Sequence, residues 1–404
     1  LITVSIVAIM ASMVLFALFA AQEQAKVQKT RALIVRLDSI IRERYDSYRT
    51  RRVPIKVPAN TPISDAARMR LDVLRDLMRM EMPDRWSDVY DPPATPFLPV
   101  GGTKISWPSV YQAYRGKYAT VTGQPIAMLT RVPGLEEHQG AECLYMIVME
   151  ALAQEGDARE TFKPDDVGDV DGDGLPEFID AWGTPIRFLR WAPGFLSELQ
   201  QVAQFTPDSV NPSGSSVTFT ISDDTKIKKL SREISRYLAG AVGVLDANDR
   251  IIGNRTAKIT AYKYDDNGTP NDLTDDIATF TCDTVNGVQP FAPGGEPNTT
   301  ETIVLMGPDP FDPRGVYPNT INPPDTLSFT FGLHPLIYSA GSNKCFGIRT
   351  EPPTDPLRYK DHRLNPFYSE GGELIGEAND FTAEQNFVTR GWTDNIHNHQ
   401  LNLR

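Results

Sequence analysis

Seven carboxylates, Asp165, Asp166, Asp169, Asp171, Asp173, Glu177 and Asp180, fall within residues 165–180 with no lysine or arginine among them. At the centre runs Asp169-Val170-Asp171-Gly172-Asp173-Gly174-Leu175-Pro176-Glu177-Phe178-Ile179-Asp180. This spacing fits the calcium-loop template D-x-D-x-D-G, in which oxygens at alternate positions converge, a glycine permits the sharp turn, and the seventh residue offers its carbonyl. Asp169, Asp171 and Asp173 are the expected side-chain ligands, Leu175 the carbonyl donor and Asp180 the twelfth-position ligand, with Glu177 beside them. Asp180 stands where such loops usually carry Glu, and its shorter arm predicts one-oxygen or weakened binding. Gly168 before the loop and Pro176 inside it speak against EF-hand helices, so a free-standing loop is expected. Without a counter-ion these carboxylates would repel and their pKa values would have to rise, which favours Ca2+ over a bare solvated turn. Mg2+ keeps its waters and prefers fewer carboxylates.

Other groups carry weaker chemistry. Asp265-Asp266-Asn267-Gly268, followed by Asp272, Asp275 and Asp276, offers Asp266 as a minor metal candidate, but Asn-Gly reads first as a hairpin turn. His138, His334, His362, His397 and His399 are scattered, and neither H-E-x-x-H nor G-x-S-x-G nor a phosphate-cradling glycine loop occurs, so no enzyme is expected. His397 and His399 read as part of a solvated tail, with a strand-borne metal pair as the alternative. Cys143, Cys282 and Cys345 are too few for a zinc site, while Cys282–Cys345 is a candidate disulfide in an exported protein.

The elements that must position these groups show in the periodicity. A helix is predicted from Ser64 and Asp65 to Pro83 through Leu71, Leu74, Leu77 and Met78, and another from Leu135 to Gln154 through Cys143, Leu144, Ile147, Val148, Ala151 and Leu152. The Pro-rich stretch Tyr90–Trp107 reads as a loop. Strand-like runs are Pro185–Trp191, Ser216–Ser222, Arg255–Lys263, Ala278–Asp283, Thr302–Met306 and Pro335–Ser339, with one more helix between Asp224 and Val244. Helices first and an antiparallel sheet later predict an α+β fold.

Ahead of this body the 404-residue chain changes character. Its formal charge is −12, yet residues 1–22 hold no charge and residues 23–52 hold nine Lys/Arg against four Asp/Glu, so the remainder is strongly acidic. None of the 32 prolines precedes Pro54 and none of the 29 glycines precedes Gly101. The head Leu1–Gln22 is long enough to cross about 30 Å of hydrocarbon. Val27, Ile34, Leu37, Ile41 and Tyr48 then recur at helical spacing through an amphipathic stalk, predicting one continuous helix up to Val53. The domains expected are therefore the helix, 1–53, and a globular head, 54–404. A basic nucleic-acid binder is excluded by the acidic body and the apolar stripe.

The run Leu1-Ile2-Thr3-Val4-Ser5-Ile6-Val7-Ala8-Ile9-Met10-Ala11-Ser12 resembles the N-terminal helix of type IV pilins and type II secretion pseudopilins, where a glutamate at the fifth mature position precedes a stretch such as LIVVAIIGILAA. Ungapped alignment puts Leu1 two residues after that glutamate, so the resemblance implies a leader and six mature residues ahead of Leu1; if Leu1 is itself the first residue, Ser5 replaces the glutamate. Phe16 stands where many pilins have proline. Asp180-Ala181-Trp182-Gly183-Thr184-Pro185 resembles the D-x-W-G-x-P strand entry of major pseudopilins, whose tryptophan packs under the sheet. His334-Pro335-Leu336-Ile337-Tyr338-Ser339 resembles a late strand of that family, and Thr393-Asp394-Asn395-Ile396 its terminal segment. The matching segments cover about 135–191 and 333–398, with an insertion of about 192–332 between.

The resemblance implies a structural filament subunit, held in the inner membrane before assembly and then displayed at the cell surface, or in the periplasm if a pseudopilus. It implies polymerisation through Leu1, Ile2, Val4, Ile6, Val7, Ile9, Met10, Val14, Leu15, Phe16, Leu18, Phe19, Val27, Ile34, Leu37 and Ile41. The implied partners are further copies of the chain, the assembly machinery and a prepilin peptidase. It also implies calcium gathered by late loops, making Asp394 and Ser339 weaker metal candidates. A single-pass, calcium-stabilised extracytoplasmic enzyme or binding module is the competing expectation.

Overall fold

The computed structural model describes residues 2–53, 55, 57–92, 107–155, 161–197, 199–222, 240–245, 251–265, 277–283, 291, 296–312, 331–350, 374–377 and 394–400. The chain is α+β, as expected. It opens with α1 (Ile2–Ser47) and continues through α2 (Ile63–Glu81), α3 (Trp86–Tyr90), α4 (Ser109–Thr122) and α5 (Gln139–Glu155). The strands among the described residues are β1 (Val167–Gly168), β2 (Glu177–Phe178), β3 (Arg187–Leu189), β4 (Gln201–Phe205), β5 (Ser209–Ser213), β6 (Ser216–Ile221), β7 (Ala241–Leu245), β8 (Ile251–Lys258), β9 (Ala261–Asp265), β10 (Ile277–Asp283), β11 (Ile303–Met306), β12 (Leu336–Ser339) and β13 (Ile396–His397).

The strands form four antiparallel sheets, ordered β1-β2, β13-β12-β3, β4-β11-β7-β8 and β5-β6-β10-β9. In the last sheet, alternation turns Val217, Phe219 and Ile221 inward from β6, and Ala278, Phe280 and Cys282 inward from β10. Phe205 of β4 meets Phe219 and Phe280 there, joining the two larger sheets in one core.

Three expectations change. Arg255–Lys263 is two strands rather than one: β8 pairs with β7 and β9 with β10, and Ile259 and Thr260 carry the chain across by donating to Gly240 O and Thr281 O. The helix expected over 224–244 ends in a strand, since Ala241–Leu245 forms β7; Ile227, Leu230, Ile234 and Leu238 lie outside the described residues. Finally, α1 stops at Ser47 rather than Val53, and Tyr48, in the turn that follows, is buried and donates to Glu81 Oε2 at 2.7 Å.

The second half of α1 belongs to the head. Thr30, Leu33, Ile34, Leu37, Ile41, Tyr45 and Tyr48 are buried, and α1 packs on α5, β12 and β13. Each fully buried apolar side chain contributes about 1.5–3 kcal/mol. Polar hooks fix the same face: Ala181 N donates to Thr30 Oγ1 at 3.1 Å, Trp182 Nε1 to Glu23 Oε2 at 2.9 Å, and Asn398 Nδ2 to Asp38 Oδ1 at 2.7 Å. Trp182 therefore reaches the stalk helix with its indole N–H while its ring packs, partly buried, against the core.

Beside α5, the short α3 is anchored by a buried ionic network. Asp88 accepts from Arg79 Nε at 2.8 Å and Arg190 Nη1 at 3.0 Å, while Asp84 accepts from the Arg190 backbone N–H at 3.1 Å and from Arg85 Nε at 3.1 Å. This network holds Trp86, the first residue of α3, fully buried.

Candidate functional site

Pairing of β1 with β2, Val167 opposite Phe178 and Gly168 opposite Glu177, makes residues 169–176 the tip of a hairpin. The tip is shaped by its own acids. Asp169 Oδ1 accepts from Gly172 N at 2.8 Å and its Oδ2 from Gly174 N at 3.1 Å, while Asp173 Oδ1 accepts from Leu175 N at 2.8 Å. Gly172 (φ +77°) and Gly174 (φ +92°) occupy the left-handed region, which a side chain would strain. Glu177 returns to the start of the loop, its Oε2 accepting from Val170 N at 3.1 Å. Leu175 is buried and anchors the loop's exit.

A candidate ligand that the sequence pattern did not reveal comes from α5. This helix lies so close to β3 that a Cβ on Gly140 would sit 2.9 Å from Phe188 O. The approach carries Glu142 to the loop, where candidate ligand oxygens of Glu142, Asp171 and Glu177 all lie within 4.8 Å of one another. Asp169, Asp171 and Asp173 form a second group by the same measure, sharing Asp171. Glu142 is 1% exposed and Glu177 0%. Its sequence signal is an acid set directly beside Cys143 and Leu144 in an apolar run, legible only once the helix is known to bury that face.

The electrostatics describe a site short of positive charge. Burial, and next the negative charge of Asp173, push Glu142 up to about 9, against the hydrogen bond from Trp86 Nε1 to its Oε2. Burial pushes Glu177 up to about 7 despite the Val170 N–H, and burial also raises Asp173. No ion pair among the described residues involves Glu142, Asp169, Asp171, Asp173 or Glu177. Glu142 Oε1, Glu177 Oε1 and Asp173 Oδ2 are buried without hydrogen-bond partners. An all-oxygen, all-anionic set with orphaned buried oxygens fits a hard divalent cation.

Asp180 is a correction. Its Oδ1 accepts from Trp182 N and Thr184 N, both at 2.9 Å, and its Oδ2 from Ser339 Oγ at 2.6 Å. Both oxygens thus shape the turn after β2, one of them through Ser339, and Asp180 joins neither acidic cluster among the described residues. Asp394 accepts from Ser342 Oγ and Asn343 N, both at 3.0 Å, and joins no cluster of three acidic, His or Cys ligands among the described residues. Asp266 lies outside the described residues, although β9 and β10 on either side pair as a hairpin with Asp265 opposite Ile277.

Comparison with protein-family models, with curated proteins and with solved structures finds no match for this chain. The functional reading therefore stands on its own residues.

Two further expectations are overturned. Cys282 is buried in β10 and Cys345 is exposed; both are free, because the packing keeps one inside the sheet and the other at the surface. His397 and His399 are buried rather than solvated: β13 pairs with β12, and His399 bridges Ser197 Oγ at 2.7 Å and Pro335 O at 3.1 Å. Burial holds His397 down to about 4 and His399 down to about 3.

The first half of α1 is the other candidate site. Ile2, Ile6, Ile9, Met10, Met13, Val14, Leu15, Phe16, Leu18 and Phe19 are all exposed, Phe16 at 77%. The side chains of Val4, Val7 and Ala8, and all of Leu1, lie outside the described residues. Among the described residues no helix is long and apolar enough to cross a membrane. From Ile9 the apolar run reaches only Ala21 before Gln22 and Glu23, so a span over Leu1–Gln22 depends on the residues ahead of Ile9.

Of the proposed polymerisation residues, Ile34, Leu37 and Ile41 must be withdrawn, since all three are 0% exposed within the chain's own head. Val27 is partly buried against the same core. The stalk's charge is also partly spent internally: Lys29 pairs with Asp166, Arg51 with Glu81, and Arg36 donates to Thr161 O.

Proposed function

We propose that this chain is a structural subunit of a type IV pilus-like or type II secretion pseudopilus-like filament, with a head stabilised by calcium. The observation that supports it is the division of α1: one half is a bare apolar rod, and the other is built into the head. Ten large apolar side chains exposed between Ile2 and Phe19 require cover. Lipid provides it before assembly and neighbouring copies of the same helix provide it afterwards, each buried side chain contributing about 1.5–3 kcal/mol. Because each copy presents the rod in one direction and the head in another, its contacts are heterologous and generate an open helical assembly. Intersubunit contact is confined on this reading to the half of α1 ahead of Thr30.

Electron microscopy of cells or reconstituted membranes carrying the full chain is the test. Wild type is expected to give filaments and Leu15→Arg none, with the variant retaining the wild-type thermal unfolding of its head. A wild-type chain that stays monomeric in micelles under assembly conditions would overturn the proposal in favour of a membrane-anchored module.

A further inference from the structure

We propose that the cation's main seat is formed by Glu142, Asp171 and Glu177, an inner site in which helix α5 supplies a ligand to the β1–β2 hairpin. This rests on the cation reading of residues 169–180 and replaces the free-standing loop with a bridge between two elements. The ligand class is a divalent, oxygen-seeking cation of calcium size.

Both acidic groups meet the spacing that a calcium ion needs, and hydrogen bonding together with burial selects the inner one. Oxygens held at about 2.3–2.6 Å on opposite sides of one calcium ion lie about 5 Å apart, and those of Glu142, Asp171 and Glu177 fall within 4.8 Å. Asp169, by contrast, has both oxygens engaged by the backbone N–H groups of Gly172 and Gly174. Glu142 and Glu177 each keep one buried oxygen without a partner, and water does not reach those oxygens to satisfy them. Asp173 Oδ2 is the next orphaned oxygen, and Asp171 belongs to both groups, so the outer turn extends the inner seat. Trp86 Nε1 donates to the other oxygen of Glu142, fixing the carboxylate and placing an indole one hydrogen bond away from the ion.

That neighbour supplies the readout. Terbium added to the detergent-solubilised full chain is expected to emit on indole excitation, and excess calcium should quench the signal by displacement. Trp86→Phe should remove most of the emission, whereas Trp182→Phe should retain it. Glu142→Gln keeps the side chain's shape and its acceptor for Trp86, and should weaken terbium and calcium binding at least tenfold. Wild-type affinity in Glu142→Gln, together with loss in Asp169→Asn, would place the ion in the outer turn and overturn the inner seat alone. No binding by wild type would overturn the seat and the cation reading together. Should Trp86→Phe fail to fold, calorimetric calcium titration of Glu142→Gln decides the matter unaided.

Discussion

Asp84 and Asp88 are buried near Trp86 in the company of Arg79, Arg85 and Arg190, whereas Glu142, Asp171 and Glu177 gather around the same indole's hydrogen-bond partner with no arginine or lysine paired to them. Burial alone would raise Asp84, but Arg190 and Arg85 hold its carboxyl below the usual carboxylate range. Burial without such partners takes Glu142 up to about 9. One acidic group carries its counter-ions in the sequence; the other must recruit them. A structural core and a ligand site thus differ less in their acids than in where the matching positive charge comes from.

That contrast can be broken in three ways. Arg190→Met should cost most, about 3–5 kcal/mol, because it removes the cation that two buried carboxylates share and leaves Asp84 to Arg85 and Asp88 to Arg79. Urea unfolding measures it, and a loss below about 1 kcal/mol would mean that the paired cluster does not depend on its own arginine. Chelation comes next: at a hundredfold excess of calcium over Kd the ion contributes about 2.7 kcal/mol. EGTA should lower the wild-type melting temperature and calcium restore it, while Asp171→Ala should respond to neither. An unchanged wild-type melt would make the unpaired cluster a solvated turn. Smallest is Ser339→Ala, which removes the hydroxyl from Asp180 and should cost about 1.5 kcal/mol. Its calcium response should stay intact; loss of that response would return Asp180 to the ligand set.

Much of this was legible in the residues. The 3.6-residue period drew α2 and α5, and β6, β10, β11 and β12 fell where strand-like runs were expected, whereas β4 and β5 were not foreseen and β7 was read as the end of a helix. Both kinds of signal arise from one buried face and need no knowledge of the partner surface. The α4 helix escaped because its buried stripe is Val110, Tyr111, Tyr114 and Tyr118, whose hydroxyls blur the apolar pattern. The hairpin acids were readable because their ligands lie close in sequence. Glu142 was not, because its place in the site depends on the Gly140 approach of α5 to β3, a tertiary fact. Asp180 misled for the opposite reason: its spacing suits a twelfth-position ligand, but two nearby N–H groups and Ser339 claim its oxygens. The stripe on α1 was correctly seen as buried, yet periodicity cannot say whether the covering surface belongs to another copy or to the same chain.

The hydrogen bond between Asn398 and Asp38 joins residues 360 positions apart. At about 5–20 residues per second, synthesis reaches the second roughly 20–70 s after the first. For most of that interval β12, and until its end β13, are missing from the cover of α1, so that Ile34, Leu37, Ile41 and Tyr45 emerge before their seat is complete. The ribosome therefore releases the adhesive part of this molecule long before its cover. The buried face of α1 is thus completed only by the part of the chain that is made last.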